Sequence, residues 1–381
     1  MIYFDNSATT ALYDDVFELV AKLLKEQFGN ASSLHRLGFN AEKYVTEARI
    51  QVAQLLQCRE DEIYFTSGGT ESDNIAVFGT ALTKKNVGKR IVTTEIEHPA
   101  VKNCCLALEK QGFEIVFIKP ENNKINNQDI LDAITKETIL VSCMSVNNET
   151  GEILDLSGIK EKMKQVGSRG LFHIDNIQGF GKIKNILNYS PDLVSISSHK
   201  LHGPKGVGAL YIKKGTNFVS HICGGGQEKN IRSGTYNMPS IAGFGLACKI
   251  KTQKINEDKK KVNELSAYLI EKLKALPFEV ILNIPSNHLG YIVNFSVTGI
   301  KSEVLLHFLE SKDIYVSSGS ACSSKSKKGS PVLNAMGLES KVIDSSIRVS
   351  FCASNTKEEI DALTQALIEA DKSLAKVNPK G

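Results

Sequence analysis

The densest group of chemically capable residues lies at positions 65–72, where the sequence reads Phe-Thr-Ser-Gly-Gly-Thr-Glu-Ser. This stretch follows a predicted strand and opens a predicted helix over 73–82. Glycines let the backbone approach a ligand closely, the first amides of a helix attract anions, and Thr70 adds a hydroxyl donor. The pattern predicts a phosphate-binding cup, and the alternative is a Gly-rich turn whose Ser or Thr caps the helix. It matches neither a Walker A loop nor G-x-G-x-x-G, so nucleotide-binding motifs do not fit.

Asp175 and Lys200 each follow the end of an apolar run. In open α/β sheets, ligands bind at the carboxyl ends of the strands. A shielded carboxylate there can pair with a protonated ring nitrogen, and a lysine in a cleft can lose its proton and form a Schiff base. The alternatives are a helix N-cap for Asp175 and a solvated surface charge for Lys200.

Three more side chains are candidates. Cys322 lies among small and basic residues over 317–329, where neighbouring lysines favour the nucleophilic thiolate; an incidental exposed thiol is the alternative. His98 follows a predicted strand, where its ring could stack on a planar ligand or lie on the surface. Arg348 interrupts an apolar strand and needs an anionic partner, either a substrate carboxylate or a structural ion pair.

A metal site is not expected. His199 and His202 are three residues apart, but their loop holds Gly203, Pro204 and Gly206 and no third ligand is at hand. None of the eight cysteines forms a C-x-x-C pair, and a disulfide framework is implausible at this length. The cysteine usage therefore predicts a reduced, cytoplasmic setting.

The elements that must position these residues alternate between two hydrophobic periods. Helical patterns cover 14–28 and 41–56, and β-rich runs follow at 63–66, 91–94, 115–118, 140–146, 171–175, 193–197 and 209–212. This alternation predicts an α/β fold with a mostly parallel sheet sandwiched by helices.

A second, smaller unit is predicted after this sheet. A helical stretch runs from 239 towards 276, and the lysines over 251–261 are interpreted as a solvated helix face. Runs at 280–282, 291–297, 314–316 and 347–351 then predict a smaller α+β domain. We assign residues 14–255 to the large domain, and residues 1–13 plus 256–381 to the small domain that carries the Cys322 loop.

Composition excludes several classes of protein. The 381 residues are 41% hydrophobic and 23% charged, as in globular proteins, which excludes a collagen, a coiled coil and a disordered chain. A net charge of +4 over this length predicts no direct nucleic-acid binding. No signal peptide is recognised, and no apolar run approaches the roughly 20 residues of a membrane helix, so no membrane partner is expected.

Binding pyridoxal 5′-phosphate requires three features that this sequence offers together. They are a phosphate-binding cup, a carboxylate for the ring nitrogen, and a Schiff-base lysine after the following strand. With these residues the chain resembles the NifS/IscS-type cysteine desulfurases, which are fold-type I enzymes of aminotransferase class V. The resemblance covers nearly the whole length, through motifs at 5–10, 28–33, 66–72, 97–100, 147–151, 198–200, 224–228, 232–235, 318–322 and at Arg348.

The resemblance implies a role for each matching residue. Lys200 would hold the cofactor, His98 would stack on its ring and serve as an acid or base, and Cys322 would take the sulfur. Asp175 would face the ring nitrogen and Gln178 the ring oxygen. The remaining matches imply phosphate ligands at Gly69, Thr70, Ser197 and His199, with Thr235 contributed by the other subunit of a homodimer, and substrate-carboxylate ligands at Asn148 and Arg348.

The implied reaction converts L-cysteine to L-alanine, with sulfur held as a Cys322 persulfide and passed to an acceptor protein. An iron–sulfur scaffold, a tRNA thiolation enzyme and a DNA-modification pathway all remain open as acceptors. The basic stretch Lys325–Lys328 departs from the acidic-proline-histidine stretch usual in long-loop members, which leaves acceptor identity open. Two rival functions also remain: another class V activity that does not need Cys322, such as an aminotransferase or selenocysteine lyase, and a non-catalytic scaffold.

Overall fold

A computed structural model describes residues 1–318 and 329–374 of the chain. The strands are β1 (Ile2–Tyr3), β2 (Ile63–Thr66), β3 (Arg90–Thr94), β4 (Glu114–Ile118), β5 (Thr138–Met144), β6 (Leu171–Asp175), β7 (Leu193–Ser197), β8 (Gly208–Ile212), β9 (Val280–Leu282), β10 (Ile292–Val297), β11 (Ile314–Tyr315), β12 (Ser317–Ser318) and β13 (Ser346–Ser350). The helices are α1 (Asp14–Glu26), α2 (Arg36–Leu56), α3 (Gly69–Lys84), α4 (Pro99–Glu109), α5 (Asn127–Ala133), α6 (Ile159–Gln165), α7 (Met238–Lys274), α8 (Ser302–Glu310), α9 (Pro331–Ala335), α10 (Ser340–Asp344) and α11 (Lys357–Leu374).

The large sheet has seven strands in the order β2-β8-β7-β6-β5-β3-β4. Strands β3 to β7 pair in parallel, and β8 lies antiparallel between β7 and β2. Every residue of β5, β6 and β7 is buried, as expected for central parallel strands covered on both faces. The predicted α/β class with a mostly parallel sheet is confirmed.

A separate four-stranded antiparallel sheet, in the order β12-β13-β10-β9, follows in the second half of the chain. The short strand β1 pairs in parallel with β11, which places the N-terminus beside this sheet. The two sheets have separate hydrophobic cores, and the long helix α7 contributes Phe244 to the first and Leu269 to the second. The domain boundary at residue 255 falls between these two segments and stays a prediction.

The interpretation of the α7 lysines is wrong for one residue. Lys251 is buried, and its ammonium pairs with the buried carboxylate of Asp258, about two helical turns later. A buried lysine requires such a partner, and a pattern of alternating charges along a helix does not reveal which lysine turns inward.

An N-terminal segment, residues 5–10, joins the two sheets. Ser7 N donates to Ser350 Oγ at 2.8 Å, at the end of β13 in the small sheet. Thr10 N and Thr10 Oγ1 both donate to His199 O at 3.0 Å, just after β7 of the large sheet. The segment therefore fixes the end of β7 relative to the small sheet.

Within the described part of the chain, no helix combines the length and the apolar character needed to cross a bilayer.

Candidate active site

Asp175 and Lys200 lie together at one edge of the large sheet. Asp175 ends β6 and is paired in register with Ser195 on the parallel strand β7, which leads into a 3-10 turn over Ser198–Lys200. Because neighbouring parallel strands end at the same edge, the two side chains are brought to one place. Lys200 Nζ donates to the carbonyl oxygens of Ser7 at 2.5 Å and Ala8 at 2.7 Å, so the N-terminal segment holds the amine there.

The Asp175 carboxyl group is buried, and burial raises its pKa above the ordinary value. The backbone N–H of Ile177, which donates to Asp175 Oδ1 at 2.9 Å, and the charge of Lys200 act in the opposite direction. Asp175 therefore gains from any cation placed beside it, which is the property required of a partner for a protonated ring nitrogen.

Two further buried carboxyl groups, Asp73 and Glu97, interact electrostatically with Asp175. Burial raises the pKa of Glu97 to about 8, although its Oε1 accepts from Thr94 Oγ1 at 2.6 Å and Met144 N at 3.0 Å. Burial and the charge of Asp175 raise the pKa of Asp73 well above its usual range. Neither group is predicted from the sequence, because neither helix nor loop patterning shows which acid turns inward.

Asp73 lies beside a buried histidine. His173 Nε2 is 3.7 Å from Asp73 Oδ1, and its two ring nitrogens contact Ser142 Oγ at 2.8 Å and Ser195 Oγ at 2.9 Å. Burial lowers the pKa of His173 to about 3. This polar cluster lies under the edge that carries Asp175 and supports it from within the sheet.

His98 is the N-cap of α4, and its Nδ1 accepts a hydrogen bond from Ala100 N at 3.1 Å. Burial and the charge of Lys200 lower the pKa of His98 to about 4, so the ring is neutral at pH 7. Since Nδ1 accepts, the ring proton is on Nε2. His98 thus offers a flat, uncharged ring with one N–H donor near Lys200.

All four predicted phosphate ligands line one cleft. Gly69, Thr70, Ser197 and His199 surround it together with other residues that include Thr9 and Lys205. At one end is the N-terminus of α3, whose cap residue Gly68 supplies no side-chain hydrogen bond to the first turn. The Ser197 hydroxyl is buried without a hydrogen-bond partner among the described residues. Helix amides, an unpartnered hydroxyl and the Lys205 ammonium suit an anion.

Close backbone approach shapes this cleft. A Cβ atom added at Gly208 of β8 would lie 2.8 Å from the backbone of Gly68, so glycine is required there. On the outer side, Glu71 accepts from Ser67 N and from Arg232 Nε, the latter at 3.2 Å. The positive charge of Arg232 thus neutralises the Glu71 carboxylate at the rim of the cleft.

Arg348 and Asn148, the predicted substrate ligands, are also in contact. Arg348 Nη1 donates to the Asn148 carbonyl at 2.8 Å, and Nη2 pairs with Asp5 Oδ1 at 2.7 Å. The structural ion pair that the sequence left open is therefore present. Arg348 Nε is buried and has no partner among the described residues, so one donor of the guanidinium is left unsatisfied.

Gln178 is buried near the same amine. Its Nε2 donates to Ser7 O at 2.9 Å, and its Oε1 accepts from Lys182 Nζ at 3.2 Å. Lys182, a third lysine at the site, was not singled out from the sequence.

Two predicted site residues are not gathered into this arrangement. Thr235 is exposed on the single chain, where it makes none of the site contacts. Cys322 lies outside the described residues. The described residues that flank it lie close to the predicted substrate ligands: Ser317 pairs in register with Arg348, and Ser330 Oγ donates to the half-buried Glu149, next to Asn148.

Comparison with known proteins gives one consistent result. The sequence profile of the family described as Aminotransferase class-V matches residues 2–363. The chain is 39% identical to the NifS/IcsS protein homolog of Lactobacillus delbrueckii over the full length of both proteins. It is 38% identical to the cysteine desulfurase IscS of Methanosarcina thermophila, covering 99% of this chain and 94% of that one. A solved NifS-like protein superposes with a TM-score of 0.91 at 34% identity, over 98% of this chain and all of the other.

The buried acid at position 97 predicts a pH-dependent stability. Folding raises the pKa of Glu97 from 4.5 to about 8, so between these values the folded protein holds a proton that the unfolded chain has lost. Stability should therefore fall as the pH rises through this window and level off above it. We expect Glu97→Gln, which cannot ionise, to melt higher than the wild type at pH 8.5, on the order of 5 °C, and equally at pH 5.

The measurement is a series of melting temperatures from pH 5 to pH 9. Glu95→Gln, two residues earlier and only half-buried, is the matched control and should follow the wild type throughout. A constant offset between Glu97→Gln and the wild type at every pH would contradict the raised pKa.

Proposed function

The chain belongs to the aminotransferase class-V family, and from this membership and its site we propose that it is a pyridoxal 5′-phosphate-dependent cysteine desulfurase. It would convert L-cysteine to L-alanine and pass on the sulfur as a persulfide. The family match confirms the resemblance found in the sequence. The observation that carries the proposal is the placement of the Lys200 amine and the buried Asp175 carboxyl group at adjacent strand ends, beside an anion-binding cleft.

The residues present fit this cofactor. The unpartnered, buried hydroxyl of Ser197 and the α3 N-terminus, which has no side-chain cap, suit an anionic ligand, and a phosphate supplies one. The buried Asp175 needs a cation, and a protonated pyridine nitrogen supplies one. We propose Gly69, Thr70, Ser197 and His199 as phosphate ligands, with Thr235 contributed by a second subunit. Lys200 would be the point of attachment, and Gln178 would donate to the ring oxygen.

When bound, pyridoxal phosphate supplies an electron-accepting ring conjugated to the substrate nitrogen. The chain's own residues do the rest. Asp175 would hold the proton on the ring nitrogen, and the flat, neutral imidazole of His98 would pack against the ring. Lys200, held at the Ser7 and Ala8 carbonyls, would bind the group and act as the base that moves the α-proton.

Substrate binding would use the second polar cluster. We propose that the cysteine carboxylate binds Arg348 through its unpartnered Nε, together with the side chain of Asn148. The ion pair with Asp5 fixes the guanidinium plane before substrate arrives, so little side-chain entropy is lost on binding.

Cys322 would be the sulfur acceptor. Its thiolate attacks the substrate sulfur, an S–S bond forms as the C–S bond breaks, and the three-carbon remainder is protonated and leaves as alanine. Ser318, the last described residue before Cys322, lies on β12, which pairs with the strand that carries Arg348.

We propose a homodimer, which the exposed surface supports. Five large apolar side chains are more than half exposed on α1, on the loop after it and at the start of α2, and we call them the apolar patch: Phe17, Leu24, Phe28, Leu34 and Phe39. The turn between the two helices is tight, because a Cβ at Gly29 would lie 2.6 Å from Leu37 O. Monomeric proteins rarely leave so many large apolar groups together in water.

The sulfur would leave on an acceptor protein, an iron–sulfur scaffold or a tRNA thiolation enzyme, in the cytoplasm. All seven described cysteines are free thiols, which suits a reducing compartment. The likeness extends to a solved structure of SspA in complex with cysteine, at 29% identity and a TM-score of 0.81 over 93% of this chain. That complex supports cysteine as the substrate here.

The second candidate function is another class V activity, such as a selenocysteine lyase or an aminotransferase, which would share Lys200 and Asp175 but not require Cys322. Cys322→Ser separates the two. We expect alanine formation from L-cysteine to fall at least about 100-fold, while the visible cofactor absorbance persists, because only the sulfur acceptor is lost. Alanine is measured by chromatography, and absorbance by a spectral scan.

Cys223→Ser is the control, since Cys223 is an exposed cysteine that lies outside the site, and its turnover should match the wild type. Undiminished turnover in Cys322→Ser would rule out the persulfide role. A wild-type protein that stays colourless with added pyridoxal phosphate would instead favour a non-catalytic scaffold.

The apolar patch predicts that Phe28→Asp separates the subunits. Phe28 is 78% exposed, so the change should not disturb the fold of one chain, but it places a charge in the proposed interface. We expect light scattering to give the mass of one 41.7 kDa chain instead of two, and cofactor affinity to fall because the partner's Thr235 is lost.

Val304→Asp is the control, because Val304 is an exposed apolar residue on α8, outside the patch, and the variant should remain a dimer. A wild-type protein that scatters as a single chain at working concentration would contradict the dimer.

A further inference from the structure

Lys182 is a buried lysine that the proposed reaction does not use. It follows β6, is 6% exposed, and makes no ion pair with any described carboxylate. Its Nζ donates to Gln178 Oε1 at 3.2 Å and lies 5.4 Å from the centre of the Tyr291 ring. An amine buried at this depth with a single neutral acceptor is costly to keep, so its position calls for an explanation.

A chain of hydrogen bonds connects Lys182 to Lys200, through the side-chain amide of Gln178 and the carbonyl of Ser7. Gln178 accepts from Lys182 at Oε1 and donates from Nε2 to Ser7 O, and Ser7 O also accepts from Lys200 Nζ. A glutamine amide can face either way, but a protonated lysine can only donate to its oxygen. While it is protonated, Lys182 therefore holds the N–H₂ side of Gln178 towards Ser7 O and the Lys200 amine.

The charges around Lys182 are mostly neutralised in pairs. The amine lines a small cavity, large enough for about one water molecule, whose wall includes Lys200, Lys251, His202 and Cys352. Lys251 pairs with Asp258 on α7, and Arg348 on β13 pairs with Asp5. No carboxylate of the described residues pairs with Lys182 in this way, so its charge acts on Lys200 without such compensation.

Burial lowers the pKa of Lys182 to about 7, with smaller contributions from Lys200, Lys251 and Arg348 in the same direction and from Cys352 in the other. The interaction between two amines is reciprocal, so a proton on Lys182 disfavours a proton on the Lys200 nitrogen by the same energy. Its effect should be largest below neutral pH and should fade as Lys182 loses its proton.

We propose that Lys182 is a positioning residue: it orients Gln178 and, through its uncompensated charge, makes protonation of the Lys200 nitrogen less favourable. The inference rests on the proposed function, because both effects act on the group that Lys200 would hold. The orientation of Gln178 depends on the hydrogen-bond donor of Lys182, and the effect on Lys200 depends on its positive charge. The donor and the charge can be removed separately by substitution.

The test is a spectral pH titration of the protein loaded with pyridoxal phosphate, in which the visible band reports protonation of the Lys200 nitrogen. In Lys182→Met, donor and charge are both lost, and we expect the titration midpoint to rise by about one pH unit and cofactor affinity to fall. Lys182→Gln keeps a donor without the charge, so its midpoint should rise while its affinity stays near the wild type. Lys184→Met, an exposed lysine two residues on, should leave both quantities unchanged.

A double-mutant cycle tests whether Lys182 acts through Gln178. Lys182→Met and Gln178→Leu should weaken cofactor binding by similar factors, and the double variant no more than either. Losses that multiply, or an unshifted midpoint in both Lys182 variants, would overturn the inference. If Lys182→Met does not fold, the midpoint of Lys182→Gln decides. A wild-type protein that binds no cofactor would overturn the proposed function itself, which separates the two failures.

Discussion

Three carboxyl groups that are buried within electrostatic range of one another control this site. Asp73, Glu97 and Asp175 cannot all be ionised in a low-dielectric interior, so their protonation states depend on one another and on the cations placed beside them. Burial raises the pKa of Asp175, and the charge of Lys200 lowers it. Two backbone carbonyls hold the Lys200 amine in place. The site is therefore arranged to receive positive charge next to Asp175 and negative charge at the helix N-terminus beyond it.

This charge arrangement depends on the N-terminal segment. Residues 5–10 connect the small sheet, through Ser350, with the end of β7, and they also provide the carbonyls that hold Lys200 and the Asp5 carboxylate that fixes Arg348. A movement between the two sheets would shift the amine and the guanidinium together. We interpret the segment as the element that keeps the proposed cofactor and substrate contacts in register.

The sequence predicted the elements that place the site better than it predicted the site's charges. Strands 63–66, 171–175 and 193–197 have the predicted bounds, because a short, mostly apolar run bounded by polar or glycine residues leaves little ambiguity. Helix α3 begins at Gly69 instead of residue 73, since glycine and hydroxyl residues weaken the helical pattern while packing against Ile177 holds the first turn. Asp73, Glu97 and Lys182 could not be found this way, because burial of a charged residue is a tertiary property that its neighbours in sequence do not encode.

We propose that Lys200 and Asp175 bind one cofactor and that Cys322 accepts the sulfur atom released there. The most direct measurement is peptide mass spectrometry of the cofactor-loaded protein after a single addition of L-cysteine, without reductant or acceptor. We expect one additional sulfur atom on the peptide that contains Cys322 and none on the peptides of the other cysteines. Alanine formed in stoichiometric amount with no sulfur on Cys322, or with the sulfur on another cysteine, would contradict it.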